Sequence, residues 1–216
     1  MHIPDGLISP QTYLPALAVA VPLWVIAGKK LKENLGDTML PKLAVFTALS
    51  LILSTLMVPL PGGTSGHAVG VGLLALIFGP WTAYLAYSLT LILQALVIGA
   101  GGITALPINA LAMGFVGAWL TWGIYRSLQG VQPTVAVVAA VWISIMVSAA
   151  LIALVLGMQP WIASDSSGSP LFFPFGPEVT LPALLVPHLL IASGEALLTL
   201  VIFRHAQKRG WLELRI

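Results

Sequence analysis

The sequence contains no cysteine, which excludes disulfides, thiolate metal sites and thiol nucleophiles. Charge is almost as scarce. Asp, Glu, Lys and Arg together make up 7 % of the 216 residues, where a soluble domain carries about 25 %. No GxxxxGK[ST] stretch is present, so the chain has no P-loop with which to hydrolyse ATP, and HExxH is missing too. The glycines of Gly99–Gly102 have no lysine beside them, so that loop is not a nucleotide cradle. The net charge of +2 comes from basic residues scattered over loops, which does not point to nucleic acid as a partner.

What fills the chain instead is apolar. Hydrophobic residues make up 58 % and the mean hydropathy is +1.00. A soluble core of this length could not hide so much apolar surface, so the composition predicts an integral membrane protein. Membrane strands would alternate apolar and polar residues, whereas these runs are unbroken and read as helices. The expected fold is all-α: one transmembrane domain over 1–216 with about seven helices, near 13–30, 42–60, 68–78, 80–98, 107–126, 134–158 and 181–203. The third run is about 11 residues, too short for a bilayer that needs ~20. The breaker-rich stretch "PLPGGTSGH" ahead of it is therefore expected to dip into the bundle as a re-entrant loop over 61–67, with Ser65 as helix N-cap.

Placing the N-terminus outside puts all nine Lys and Arg on the cytoplasmic side of the membrane, and the opposite orientation puts all nine outside. Residues 1–12 are then an outer N-terminal segment, 159–180 an outer loop and 204–216 a cytoplasmic tail. The first lysine is Lys29, so no basic start for a cleavable signal is expected.

The first residues, "MHIPDG", carry the chemistry of interest. Methionine ahead of histidine is normally retained, so a free α-amine on Met1 is expected. A divalent ion meeting that amine can close a five-membered ring with the His2 backbone nitrogen. It can close a six-membered ring with His2 Nδ1. The amide proton is lost under the pull of the metal. Three nitrogens then lie in one plane with the fourth corner open, and His67, in the Gly-rich outer loop, can complete the square. Planar nitrogen coordination suits Ni(II) and Cu(II) rather than tetrahedral Zn(II). The competing view is that His2 is a frayed end.

His188 and Glu195 lie seven apart on one helical face, and ionisable residues at membrane depth are candidates for function; a pair that fixes helix packing is the alternative. Asn109, Gln94 and Thr104 read as glue between helices or as support for the metal ligands. Ser65 is a further candidate for that support. A Ser65 or Ser193 pairing with His188 lacks any nucleophile context.

The stretches "MHIPDGLIS", "GGTSGHAVGVGLLALIFGPW", "LTLILQALVIGAGGITALPINALAMG" and "HLLIASGEALLT" resemble the CbiM/NikM family. These are the substrate-binding S components of energy-coupling-factor nickel and cobalt importers. The likeness runs over nearly the whole chain. It implies an N-terminal segment plugged into the bundle and a square-planar site made by Met1, His2 and His67. It also implies partners: a transmembrane coupling protein, two cytoplasmic ATPases and often a small accessory membrane subunit. The substrate it implies is Ni(II), since "GGTSGHAVG" is closer to the nickel side, with Co(II) as the alternative; no organic cofactor is implied. Ala100, Pro107 and Ala112 depart from the family's usual residues, and no acidic role is expected in that loop. Two other readings stay open: an intramembrane enzyme using His188 and Glu195, and a structural membrane subunit.

Overall fold

A computed structural model describes residues 2–34, 36, 38–55, 57–60 and 64–211. Proline sets several helix starts, because its missing N–H is one that a first turn leaves unbonded anyway. Helix α1 runs Pro10–Asn34 and α2 Leu40–Thr55. Two short strands, β1 (Val58–Leu60) and β2 (Thr64–Gly66), pair antiparallel, with Pro59 opposite Ser65. Helix α3 spans Val71–Phe78, and α4 spans Pro80–Ile98 with its last turn, Gln94–Ile98, π-helical. Helix α5, Leu106–Leu128, contains a π-helical stretch at Ala110–Val116. Then come α6 (Pro133–Gly157), the single turn α7 (Gln159–Ile162) and the long α8 (Pro177–Lys208).

The core explains the short helix. Residues 71–77 of α3 are all buried, packed among α2, α4, α5, α6 and α8. Its Leu73, Leu74, Leu76 and Ile77 join Tyr84, Tyr87, Met113 and Val141 in one apolar cluster. The outward faces remain apolar: Val19 and Val25 on α1, Val45 and Ile52 on α2 and Leu190 and Val201 on α8 are exposed. Among the described residues, α1, α4, α5, the α6–α7 stretch and α8 are long and apolar enough to cross a membrane; α2 is apolar but shorter. The all-helical membrane fold expected from composition is the fold observed, apart from the small hairpin.

Several boundaries differ from the sequence reading. Helix α1 starts at Pro10 rather than near 13, and α8 starts at Pro177 and continues to Lys208. The outer segment therefore ends earlier than residue 12, and the tail begins later than 204. The expected loop 159–180 holds the turn α7 and the first residues of α8. Residues 58–60, assigned to the second helix, are strand. Of the expected re-entrant loop 61–67, residues 61–63 lie outside the described residues, while 64–66 form β2. Ser65 is not a helix cap: α3 begins six residues later, at Val71, with Gly70 in the N-cap position. The side chain of Ser65 lies outside the described ones.

Candidate metal centre

The N-terminal segment is held inside the bundle by a few specific bonds. Ile3 and Ile8 are buried against Ala105, Ile108, Ala112, Ile152 and Leu156. Full burial of such a side chain contributes roughly 1.5–3 kcal/mol. Asn109 then fixes the peptide at Ile3. Its Oδ1 accepts the Ile3 N–H at 3.0 Å and its Nδ2 donates to the Ile3 carbonyl at 3.1 Å. The same carbonyl accepts the Gly102 N–H at 3.0 Å. Two residues on, the Asp5 carboxylate accepts the backbone N–H of Ile103 at 3.0 Å and of Thr104 at 2.8 Å, and the Thr104 hydroxyl at 2.5 Å. Partial burial works to raise the Asp5 pKa, but these donors prevail and hold the carboxyl below its usual range. Further along, the Ser9 N–H donates to Gln159 Oε1 at 2.9 Å.

The 99–105 loop comes this close because it has no side chains in the way. A Cβ on Gly102 would stand 2.5 Å from the Asp5 nitrogen and 2.8 Å from the Pro4 carbonyl carbon. Gly101, at φ +80°, lies against His2: a Cβ there would stand 3.3 Å from the His2 Cβ and 3.8 Å from Asn109 Nδ2.

These bonds deliver His2 to His67. Both are 2 % exposed, and their ring centroids are 4.2 Å apart, with the planes inclined by 35°. His67 follows β2 directly, and its Nδ1 lies 2.8 Å from the Ala68 carbonyl. A carbonyl can only accept, so Nδ1 carries the proton and Nε2 keeps its lone pair. Among the described residues, that Nε2 and both ring nitrogens of His2 are buried without a hydrogen-bond partner. Buried polar atoms are normally satisfied, and two neighbouring neutral imidazoles each offer one unpaired lone pair that a cation could take. Burial, foremost, pushes the His67 pKa down to about 3, and burial together with the neighbouring His67 holds His2 well below its usual value. Both rings are thus neutral and able to ligate at neutral pH.

The loop after His67 is anchored from α8. Glu195, buried, accepts the N–H groups of Val69 at 2.6 Å and Gly70 at 2.7 Å. His188, one heptad earlier on the same face, is fully buried and bonds the Leu184 carbonyl through Nδ1 at 2.6 Å. Among the described residues no three side chains of His, Asp or Glu converge as a metal-binding group. Met1 lies outside the described residues.

Of the residues expected at the site, His2 and His67 meet. Asn109 and Thr104, expected either between helices or in support of the metal ligands, hold the N-terminal segment that carries His2. Glu195 fixes the His67 loop, and His188 touches neither histidine by a hydrogen bond. Sequence reasoning missed Asp5, Gly102 and Gln159 as partners of the segment. The signal for Asp5 and Gly102 was present: a carboxylate near the start, and a glycine pair in the loop that follows α4.

Comparison with known proteins decides the lineage. Residues 2–211 match the family model CbiM, described as the cobalt uptake substrate-specific transmembrane region. The chain belongs to this family. Its relatives are transport proteins rather than enzymes, and the family's description is of the substrate-specific part of an uptake system. A probable fused nickel transport protein LarMN of Lactiplantibacillus plantarum is 37 % identical over 96 % of this chain and 65 % of its own length. A fused nickel transport protein NikMN of Rhodobacter capsulatus is 36 % identical over 90 % of this chain and 58 % of its own. The chain thus spans less than two thirds of these fused relatives. A putative metal transport protein of Methanocaldococcus jannaschii is 33 % identical over 96 % of this chain and 92 % of its own. A crystal structure titled as a truncated transition metal transporter superposes with a TM-score of 0.93, at 34 % identity, covering 97 % of this chain and 99 % of that one.

Proposed function

We propose that this chain captures Ni(II) at the outer face of a prokaryotic inner membrane, as the substrate-binding component of an ATP-driven importer. The observation that carries the reading is the buried His2–His67 pair with three unpartnered ring nitrogens. His67 offers Nε2. His2 offers Nδ1 and, once deprotonated, its amide nitrogen, and the α-amine of Met1 supplies the fourth corner. Only two side chains are involved, in keeping with the lack of any convergence of three among the described residues. A backbone-rich planar set favours Ni(II) over ions that prefer tetrahedral sites. Relatives named for nickel transport support the same choice.

A second reading, Co(II) as substrate of the same site, is favoured by the family's description as a cobalt uptake region and by relatives named cobalt transport protein CbiM. Release inward requires energy that this chain cannot supply, having no P-loop. The partners are therefore a transmembrane coupling protein and two cytoplasmic ATPases, often with a small accessory membrane subunit. The N-terminus is outside and the C-terminus cytoplasmic, in line with the distribution of the nine Lys and Arg. The test is nickel bound by purified protein with a free α-amine against the same protein acetylated at Met1. Acetylation removes the lone pair of the α-amine and should abolish high-affinity binding.

A further inference from the structure

One buried ligand atom is left over by the four-nitrogen site. His188, on α8, is 0 % exposed. Its Nδ1 donates to the Leu184 carbonyl at 2.6 Å, so the neutral ring keeps its lone pair on Nε2. That Nε2 is buried and has no hydrogen-bond partner among the described residues. Strand β2, which His67 follows directly, packs against α8. Seven residues further along the same face, Glu195 holds the two N–H groups that follow His67 closely. Helix α8 therefore lies against the His67 loop, and His188 adds a second free imidazole nitrogen on that face, two turns from Glu195.

No three metal-binding side chains converge among the described residues, so His188 is not a third ligand to an ion held by both His2 and His67. We propose that His188 Nε2 is an inner acceptor for the transition-metal ion, which passes from the N-terminal nitrogens to a two-imidazole position between His67 and His188. The proposal rests on the outer-site reading given above. Measured along α8 from its outer start at Pro177, His188 lies roughly 16 Å down the helix at 1.5 Å per residue, near the middle of a hydrocarbon core about 30 Å thick. His67 is the ligand common to both positions, so the ion is never without an imidazole. Both rings already carry free lone pairs, and neither has to lose a proton. The His2 amide nitrogen regains its proton from water as the ion leaves it.

The test uses the full chain carrying His2→Ala, which removes the outer chelate, and Ni(II) alone as the probe in equilibrium dialysis. The expected result is residual binding, weaker than native, that is lost on adding His67→Ala and equally on adding His188→Gln. Glutamine can still donate to the Leu184 carbonyl, and an unchanged unfolding temperature checks that the variant is folded. In the His2→Ala chain without further substitution, pulsed EPR of bound Cu(II) should count two coupled imidazoles. Residual nickel that is insensitive to His188→Gln, no residual nickel, or a single coupled imidazole each overturns the proposal. Native affinity in the His2→Ala chain overturns the outer-site reading itself, and this proposal with it.

Discussion

Asn109 binds both polar groups of Ile3, accepting its N–H at 3.0 Å and donating to its carbonyl at 3.1 Å. A side chain on α5 thereby fixes the peptide next to His2. Asn109→Leu leaves the Ile3 N–H unpaired, while the carbonyl keeps the Gly102 N–H. An orphaned buried group costs about 1–3 kcal/mol. If the N-terminal segment must be seated to bind metal, nickel affinity should fall about five- to 150-fold. Titration calorimetry checks this, and an unchanged Kd contradicts it.

Gly102→Ala should displace the segment outright. The new Cβ would meet backbone atoms of Asp5 and Pro4 at under 3 Å, and backbone cannot rotate away as a flexible side chain can. Nickel binding should be lost while the membrane helices stay intact by circular dichroism. Gly123→Ala, which enters open space on α5, is the control and should be neutral or slightly stabilising.

Glu195 tests the anchoring of the His67 loop. Glu195→Ala leaves two N–H groups without an acceptor; Glu195→Gln keeps one acceptor oxygen. Stability should therefore fall in the order wild type, Gln, Ala, with about 1–3 kcal/mol per unpaired group. Thermal unfolding of the detergent-solubilised protein gives the order directly. Equal unfolding temperatures would remove Glu195 from the account.

His67 sets a pH dependence. Its folded pKa is near 3, against about 6.5 when unfolded. Between those values the unfolded chain holds more protons, so stability rises with pH there. The contribution is complete above about pH 6.5 and is lost as pH falls toward 3. NMR of labelled histidine should find the His67 ring neutral at pH 5. A ring titrating near its ordinary pKa would show that the site is wetter than described.

How far the sequence was readable follows from the range of the forces involved. The long helices α4, α5, α6 and α8 were legible because apolar runs bounded by Gly and Pro are local signals. Pro10 and Pro177 were equally local signals of helix starts and were passed over in favour of hydropathy. The hairpin at 58–66 escaped because Val58, Pro59 and Leu60 continue the apolar run of α2 and break it only through pairing with Thr64–Gly66. At the site, His2 and His67 could be paired from ligand chemistry alone. The bonds that seat them could not, because Asn109 to Ile3, Asp5 to Thr104 and Glu195 to Val69 join residues about 100 or more apart. Nothing in the polar residues of one segment says which distant backbone they will satisfy.

The central claim is that the first two residues, with His67, form the site that captures the metal. The most direct measurement is the nickel content and Kd of the purified chain with a free α-amine, compared with the chain acetylated at Met1. The account predicts near-stoichiometric nickel on the native protein and loss of high-affinity binding on the acetylated one. Equally tight nickel binding by both would contradict it.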